Sequence, residues 1–292
     1  MNQFSISQLE KFSGIKAHTI RMWEQRYNAL TPNRSEGNTR YYDNEQLRRL
    51  LNIVSLSNQV YKVSELCTMP DKQLFKLVEE LKNEPQNETD EYFVSQLIAA
   101  GLNYDEFHFD KIFSHCLLRY GMKDTYLKVI YPVLVRTGIM WTCDGLAPAN
   151  EHFISNLFRQ KLLTAIDGLP PPKPGSESWL LFLPENEFHE IGLLLSHYLI
   201  RLSGKKVIYL GSNVPTQSLI QAVKEISCNN LLFFLIHRDS EKEMQQYLNG
   251  LCNRFKEKNI YVAGNQSLFN QLKKARNIFF LSSIDDLEQQ LA

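Results

Sequence analysis

Apolar residues recur along this chain with two different periods, and the change of period divides the sequence. In the N-terminal part the apolar positions are spaced by three and four residues, which is the period of an α-helix. Two such stripes early in the chain predict two short helices. The first consists of Leu47, Leu50, Leu51 and Val54, and the second of Leu74, Leu77, Val78 and Leu81.

Longer helical patterns follow in the middle of the chain, between residues 92 and 166. They cover residues 109–120, 124–141 and 150–166, and the stretch is poor in strand-like patterns. Long amphipathic helices joined by short connections pack against one another into a bundle. We therefore predict a bundle of about four helices here.

The period changes after a proline-rich stretch, where short runs rich in β-forming residues alternate with helical stretches. Helices are predicted at residues 190–202 and 218–226. Strands that alternate with helices form a parallel sheet covered on both faces, as in Rossmann-like or flavodoxin-like domains. The predicted strands are residues 179–183, 206–210, 231–236, 259–262 and 277–281.

Two segments lack the apolar side chains that could anchor them to a core. Residues 82–91 carry no large apolar group, and residues 169–178 are rich in proline, which cannot continue a helix. We read both as linkers. The predicted domains are therefore residues 1–81, residues 92–168 (the bundle) and residues 177–292 (a five-stranded parallel α/β domain), so the fold class is multidomain α and α/β.

Composition excludes several classes of protein. With 43% apolar and 22% charged residues, the chain is typical of globular proteins. No long uncharged apolar run and no export signal are found, so we expect no membrane association and a cytoplasmic location. The five cysteines are scattered, which favours neither a zinc knuckle nor a disulfide framework.

Formal net charge is zero over the whole chain, but the first fifty residues carry eight Lys or Arg against five acids. This local excess is small, so the positions of the cations matter more than their number. Residues 4–27 predict two helices around a turn at Ser13 and Gly14, with Ser5 or Ser7 as the first cap. On the second helix Ile20, Trp23 and Tyr27 share an inward stripe, and its cations lie on the other faces.

The following residues predict a β-hairpin wing. Arg34 and Arg40 flank a turn at Gly37 and Asn38, and a further helix begins after Asp43 or Asn44. A winged helix-turn-helix head is therefore expected. The residue types and their spacing resemble the MerR family signature, which is carried here by Thr19, Arg21, Trp23, Glu24, Arg26, Tyr27, Leu30, Pro32, Arg34, Gly37, Arg40, Tyr42 and Leu47.

This resemblance implies a sequence-specific regulator that binds double-stranded DNA at an operator. Arg21 and Arg26 are expected to hold phosphates, and the start of the second helix, with His18 and Thr19, is expected to read the major groove. Since one head contacts few phosphates, we expect a homodimer or tetramer on a repeated or palindromic site. The wing residues Arg34, Arg40 and Tyr42 are expected to grip the flanking backbone or minor groove.

The order of bundle and α/β domain resembles the light-sensing, cobalamin-dependent branch of that family, and the corrinoid module of methionine synthase. Two local matches carry this resemblance. In the bundle, Trp141 precedes Glu151 and His152, similar to the motif that caps the upper face of cobalamin. It implies an indole over the corrin and a carboxylate for the ribose hydroxyls of adenosylcobalamin, the form we expect.

The second match follows the first predicted β-strand, where Glu187, His189 and Gly192 resemble the family's Asp-x-His-x-x-Gly loop. The resemblance implies that His189 is the lower cobalt ligand, that Glu187 orients its imidazole, and that cobalamin lies between bundle and α/β domain. Phe234 stands where the family has a serine beside the nucleotide tail. Asn265 follows Gly264 where the family has a second glycine.

Three functions remain open on these residues. The first is a transcriptional repressor that senses cobalamin, and the second is a repressor of the same architecture that has lost the cofactor and answers to a protein partner or another ligand. Phe234 and Asn265 favour the second. The third, a corrinoid methyl carrier, is disfavoured by the DNA-binding head and by the lack of any further catalytic motif, so we expect no enzyme.

Overall fold

A computed structural model describes residues 4–34, 38–57, 61–81, 90–142, 147–235, 241–264, 266–273 and 276–292. The chain divides into two compact units, Met1–Phe158 and Arg159–Ala292. The predicted head and nearly all of the predicted bundle fall in the first unit. The predicted α/β domain falls in the second.

The head begins with a helix-turn-helix. The hydroxyl of Ser5 accepts a hydrogen bond from the Gln8 amide, and the Gln8 side chain accepts one from the Ser5 amide, so Ser5 is the cap, of the two serines predicted. Gly14 has a φ of 73°, a left-handed conformation that ends the first helix. The elements are α1 (Ile6–Ser13), α2 (Ala17–Tyr27), β1 (Asn33–Arg34), β2 (Arg40–Tyr41), α3 (Asn44–Ser57), α4 (Val63–Thr68) and α5 (Asp71–Leu81).

The core of the head contains the apolar stripes predicted on α2 and α3. Ile20 and Trp23 of α2 are buried, and Tyr27 is half-buried. The carboxylate of Asp43 accepts the amide of Gln46 at 2.9 Å, so Asp43, of the two predicted candidates, caps α3. The whole α3 stripe is buried at 0% exposure, namely Leu47, Leu50, Leu51 and Val54.

The predicted bundle is present. Gly121, with a φ of 70°, breaks the second of its helices, and a π-helical turn (Tyr126–Ile130) leads into the third. The linker predicted at residues 82–91 lies outside the described residues up to residue 89, and residues 90 and 91 already begin a helix. The helices are α6 (Asp90–Leu102), α7 (Glu106–Thr125), α8 (Tyr131–Thr142) and α9 (Pro148–Asp167).

Buried polar side chains join the head to the bundle inside the first unit. The Gln96 amide on α6 donates to Asn52 Oδ1 at 3.3 Å and to Ser55 Oγ at 3.0 Å, both on α3. The Gln96 carbonyl oxygen lies 3.1 Å from His108 Nε2 on α7. Asn52, Ser55, Gln96 and His108 are all less than 9% exposed. Their mutual hydrogen bonds replace bonds to water, and without them the burial of these polar groups would cost free energy.

An arginine fork makes a second connection between head and bundle. Arg136 of α8 donates to both carboxylate oxygens of Glu91 at 2.6 and 2.7 Å. The same guanidinium reaches the carbonyl of Phe12 at 3.4 Å, beside the turn of the helix-turn-helix. Such a bidentate pair fixes direction as well as distance. The turn is therefore held against α8 and α6.

The second unit is a parallel α/β fold. Its five strands lie in the order β4-β3-β5-β6-β7, and every neighbouring pair is parallel. This order confirms the predicted flavodoxin-like sheet. The strands are β3 (Ser178–Pro184), β4 (Lys206–Val214), β5 (Asn230–Leu235), β6 (Asn259–Gly264) and β7 (Ile278–Leu281). The helices are α10 (Ile191–Leu202), α11 (Thr216–Glu225), α12 (Glu241–Arg254), α13 (Gln266–Phe269) and α14 (Ile284–Leu291).

The sheet positions a ligand crevice by its connectivity. From β3 the chain crosses to β4 on one side, and from β4 it returns to β5 on the other side of β3. In open parallel sheets, ligands bind outside the carboxyl ends of the strands where the order reverses in this way. The crevice of this unit is therefore expected at the carboxyl ends of β3 and β5. Among the described residues, no helix combines the length and the apolar character needed to span a bilayer.

Candidate functional site

Helix α2 presents polar and cationic side chains on the faces that its buried stripe leaves outside. His18, Arg21 and Arg26 are exposed, whereas Thr19 is half-buried. The Thr19 hydroxyl lies 3.3 Å from His18 Nε2, at the start of the helix. These groups are therefore available to a groove or its phosphates, as a recognition helix requires. Their contact with DNA stays a prediction.

The wing brings two more cations together. Arg34 and Arg40 stand opposite each other in the antiparallel pair of β1 and β2, and both are exposed. Arg34 also donates to the side-chain oxygen of Asn38, which has a φ of 58° in the turn. Gly37, predicted in the same turn, lies outside the described residues. The hairpin therefore presents a pair of guanidinium groups at one position of the wing.

The prediction that Tyr42 contacts DNA is wrong. Tyr42 forms an antiparallel bridge with Phe4, through backbone hydrogen bonds of 2.7 and 2.8 Å, and its side chain is fully buried. Its hydroxyl donates to Glu24 Oε1 at 2.5 Å. The bridge turns the phenol into the head, where it cannot reach a duplex. Tyr42 instead holds the end of the wing to α2.

Glu24 is a functional neighbour that the sequence analysis missed, although it lies four residues after Ile20 on the same helical stripe. It is 8% exposed. Burial raises the pKa of its carboxyl, while the hydrogen bond from Tyr42 and the charges of Arg40 and Arg21 lower it in part. The hydrogen bond from Tyr42 to Glu24 joins the end of the wing, which carries Arg40, to α2, which carries Arg21.

The loop between β3 and α10 holds the predicted metal ligand. Glu187 is 6% exposed, and its Oε1 accepts the amides of Phe188 and His189, each at 2.9 Å. The same oxygen lies 2.6 Å from His189 Nδ1. The Glu187 carbonyl accepts the amide of Asn213 at 3.0 Å, which ties the loop to the end of β4. The carboxylate thus contacts both the loop backbone and the imidazole ring, and its role toward a metal stays a prediction.

The electrostatics of this pair suit a histidine that binds a metal. Burial raises the pKa of Glu187, but the hydrogen bonds and charge of His189 outweigh burial and the pKa is lowered overall. Glu187 is therefore ionised at neutral pH and can hold a proton on Nδ1, which makes Nε2 the nitrogen suited to a metal. The His189 side chain is 64% exposed. Among the described residues, no three or more His, Cys, Asp and Glu side chains converge on a metal site.

The predicted glycines beside the loop pack against rings of the chain itself. A Cβ atom added to Gly192 would lie 2.7 Å from Cε1 of Phe234 and 3.2 Å from its Cζ. One added to Gly264 would lie 2.9 Å from the Leu235 carbonyl oxygen and 3.2 Å from Cζ of Phe269. Both glycines are thus required by close packing. Asn265 lies outside the described residues.

The predicted cap residues belong to the first unit. Trp141 is helical, near the end of α8, and its side chain lies outside the described residues. Glu151 Oε2 lies 3.0 Å from Nδ1 of the neighbouring His152 in α9. The Glu151 side chain is 31% exposed and that of His152 is 73% exposed, so both can meet a ligand. The roles of these three residues stay predictions.

A second cluster lies beside the loop and was not found from the sequence. Glu190, the residue before α10, lies 2.6 Å through Oε1 from Arg159 Nε. Its Oε2 accepts the hydroxyl of Tyr209 on β4 at 3.1 Å. Burial and the carboxylate of Glu190 raise the pKa of Tyr209, so the phenol remains protonated and can donate. Only proximity in the fold relates these residues, since they are far apart in sequence.

Comparisons with known proteins agree with both parts of the chain. Residues 4–69 match the family described as MerR HTH family regulatory protein. The HTH-type transcriptional repressor CarH of Myxococcus xanthus is 28% identical over 231 residues, which cover 75% of this chain and 74% of that protein. The HTH-type transcriptional repressor CarA of the same organism is 25% identical over 302 residues, which cover 93% of this chain and 98% of that protein.

A solved structure supports the fold of much of the chain. The monomethylamine corrinoid protein of Methanosarcina barkeri has a TM-score of 0.55 and is 12% identical, and the match covers 70% of this chain and 99% of that chain. At this identity the likeness concerns the fold alone. Residues 4–69 are therefore similar to the MerR HTH family, and the matched part of the chain shares its fold with that solved structure.

Proposed function

We propose that this protein is a sequence-specific DNA-binding transcription regulator, and that it acts as a repressor. The observation that carries the proposal is that the recognition helix and the wing both expose cations, Arg21 on α2 and the paired Arg34 and Arg40 on the hairpin. Two elements that present cations together match how winged helix-turn-helix proteins grip a groove and its flanking backbone. The two curated relatives, both repressors by name, give the direction of regulation.

The protein is proposed to work as an oligomer and as a regulator, not as an enzyme. A single head offers few phosphate contacts, and specific complexes of dimers reach higher affinity on two half-sites. A homodimer or tetramer on a repeated or palindromic operator therefore remains our prediction.

The DNA-binding proposal is tested with full-length protein and genomic fragments selected by repeated binding at low salt. Arg21→Ala and Arg40→Ala are each expected to weaken binding to the selected operator. Each change leaves one DNA phosphate per head without its cation, so the slope of log affinity against log salt falls by about 0.9 for each such phosphate. Affinities are measured by fluorescence anisotropy over a range of salt concentrations.

Lys111→Ala is the matched control, because Lys111 is an exposed cation on α7 of the bundle, outside the head. This variant should keep both the affinity and the salt slope of the unchanged protein. If Arg21→Ala and Arg40→Ala also leave affinity and slope unchanged, the proposed DNA interface is refuted.

A second part of the proposal concerns the α/β unit, which we propose binds a corrinoid through His189. The support is the paired geometry of Glu187 and His189, together with the fold shared with a corrinoid protein. Nε2 of His189 would hold the cobalt. A bound corrinoid would supply a metal centre whose other ligand can be exchanged, and such a cofactor shifts a regulator only through different affinities for its states.

The residues provide a ligand for the metal of a corrinoid, but they provide no place for its nucleotide tail. The ring of Phe234 occupies the packing space beside Gly192 that the sequence analysis assigned to that tail. The adenosyl form and the capping roles of Trp141, Glu151 and His152 remain predictions. The alternative is a sensor that has lost the cofactor and answers to a protein or another ligand. Phe234 and Asn265 favour it, and the experiment that follows separates the two.

A further inference from the structure

Phe234 stands at the place in the second unit where the sheet order predicts a ligand. It is the next-to-last residue of β5, paired with Ala263 of β6, and β5 is the central strand of the sheet. The strand order reverses between β3 and β5, so the crevice lies at their carboxyl ends. The side chain is half-buried. A phenyl ring therefore occupies the ligand end of the sheet.

The ring is packed tightly against the loop that carries His189. Its Cε1 atom lies 2.7 Å from the position of a Gly192 Cβ, closer than real Cβ atoms tolerate, and its Cζ atom lies 3.2 Å from the same position. Gly192 lies three residues after His189, in the first turn of α10. The bare backbone at Gly192 thus receives the ring of Phe234, and no space for a further group remains between them.

A second ring closes the neighbouring position on β6. A Cβ on Gly264 would lie 3.2 Å from Cζ of Phe269, which is 5% exposed. Leu235, the residue that follows Phe234, pairs with Gly264 across the two strands. The two glycines that could admit an extended group beside the sheet are therefore both covered by phenyl rings from the same chain.

We propose that Phe234 selects the class of corrinoid, so that this unit binds corrinoids without a lower nucleotide, such as cobinamide, in preference to cobalamin. This inference rests on the proposed corrinoid function of the unit. With Phe234 in place, a nucleotide arm displaced from cobalt has no buried position to enter. A corrinoid without the arm needs no such position, and no base of its own competes with His189 for the metal.

The test uses full-length protein mixed separately with diaquocobinamide and hydroxocobalamin, followed by desalting, visible spectra and titration. The unchanged protein should bind cobinamide with a Kd about tenfold lower than that for cobalamin, or lower still, because forcing a group into a filled position costs energy on that scale. His189→Ala should remove the spectral shift that imidazole ligation gives to bound cobinamide.

Phe234→Ser should open the position beside Gly192 and lower the Kd for cobalamin by about tenfold, with little change for cobinamide. Phe279→Ser is the matched control, since Phe279 is a 38% exposed ring on β7 of the same sheet, away from the loop. It should leave both affinities as they are. Circular dichroism of each variant checks the fold, and the comparison of the two corrinoids on unchanged protein needs no variant.

Two outcomes would overturn the inference in different ways. If the unchanged protein binds cobalamin as tightly as cobinamide, Phe234 is not selective, and the proposed corrinoid function survives. If neither corrinoid binds to the unchanged protein or to Phe234→Ser, both the inference and the corrinoid part of the proposed function fail, whereas the DNA-binding part is unaffected.

Discussion

Gly192→Ala offers a direct measure of how tightly Phe234 is packed. Gly192 lies in the first turn of α10, where alanine would ordinarily be the better residue, by about 0.8–1 kcal/mol in a helix interior and by less in a first turn. Here the added methyl group would meet Phe234 at 2.7 Å. The same substitution therefore carries a favourable backbone effect and an unfavourable contact.

The unfavourable contact with Phe234 should outweigh the favourable backbone effect. Overfilling a well-packed site costs about 1–3 kcal/mol, so we expect Gly192→Ala to lower the free energy of unfolding of the second unit by about 1–2 kcal/mol. In a Phe234→Ala background the methyl group meets no ring, and the substitution should be neutral or stabilising. The difference between the two effects, a coupling energy of about 1–3 kcal/mol, belongs to the contact between residues 192 and 234.

Native-state hydrogen exchange measured by mass spectrometry reports the free energy of unfolding of the second unit by itself. The amides of β5, a central strand, exchange when the unit unfolds, and about 1.4 kcal/mol corresponds to a tenfold change in their exchange rate. Gly250→Ala is the control, because a Cβ at Gly250 on α12 would meet nothing within 4 Å. This control should slow exchange, as expected for removal of a helical glycine.

The reasoning is refuted if Gly192→Ala slows exchange of the β5 amides in otherwise unchanged protein. It is also refuted if the substitution has the same effect with and without Phe234, because the coupling energy would then be zero.

Two further predictions concern stability in each unit. Tyr42→Phe removes the hydroxyl that donates to buried Glu24, so the free energy of unfolding of the head should fall by about 1–3 kcal/mol. Urea unfolding measures this change. Operator affinity per folded molecule should stay unchanged. Weaker DNA binding at unchanged stability would restore Tyr42 to the DNA interface. In the second unit, burial and the charge of Arg201 lower the pKa of His197 to about 4 and its ring stacks on Tyr209, while its Nδ1 has no hydrogen-bond partner among the described residues. A histidine whose pKa is lowered in the folded state contributes full stability above its unfolded pKa of about 6.5, and this stability is lost as the pH falls toward 4. The urea midpoint should therefore fall more steeply between pH 6.5 and pH 4.5 in unchanged protein than in His197→Phe, and identical pH profiles would contradict this assignment.

The parts of the fold that local periodicity determines could be predicted from the sequence. The α3 stripe and the strand from Trp179 are examples, because their burial follows from spacing alone. The capping of α1 by Ser5 and the turn at Gly14 follow from local chemistry in the same way. In each case the residues that decide the structure are neighbours in sequence.

The parts that depend on tertiary packing could not be predicted. Tyr42 has the residue type of a wing contact, yet its bridge to Phe4, 38 residues earlier, turns it inward onto Glu24. Phe234 marks a departure from a familiar motif, but only the fold shows that its ring fills the space at Gly192. Contacts between distant residues decide both side-chain directions, and periodicity carries no information about them.

The buried amide of Gln96 has a consequence for how the head can move. Apolar contacts between helices are non-directional, but the hydrogen bonds of Gln96, donated to Asn52 and Ser55 and accepted from His108 Nε2, form at only one register. A shift of α6 along α3 by one turn would leave several polar atoms without water or a partner. The helix-turn-helix head is therefore fixed to the bundle at one register of the helices. A displacement of the bundle helices would move the recognition helix with them.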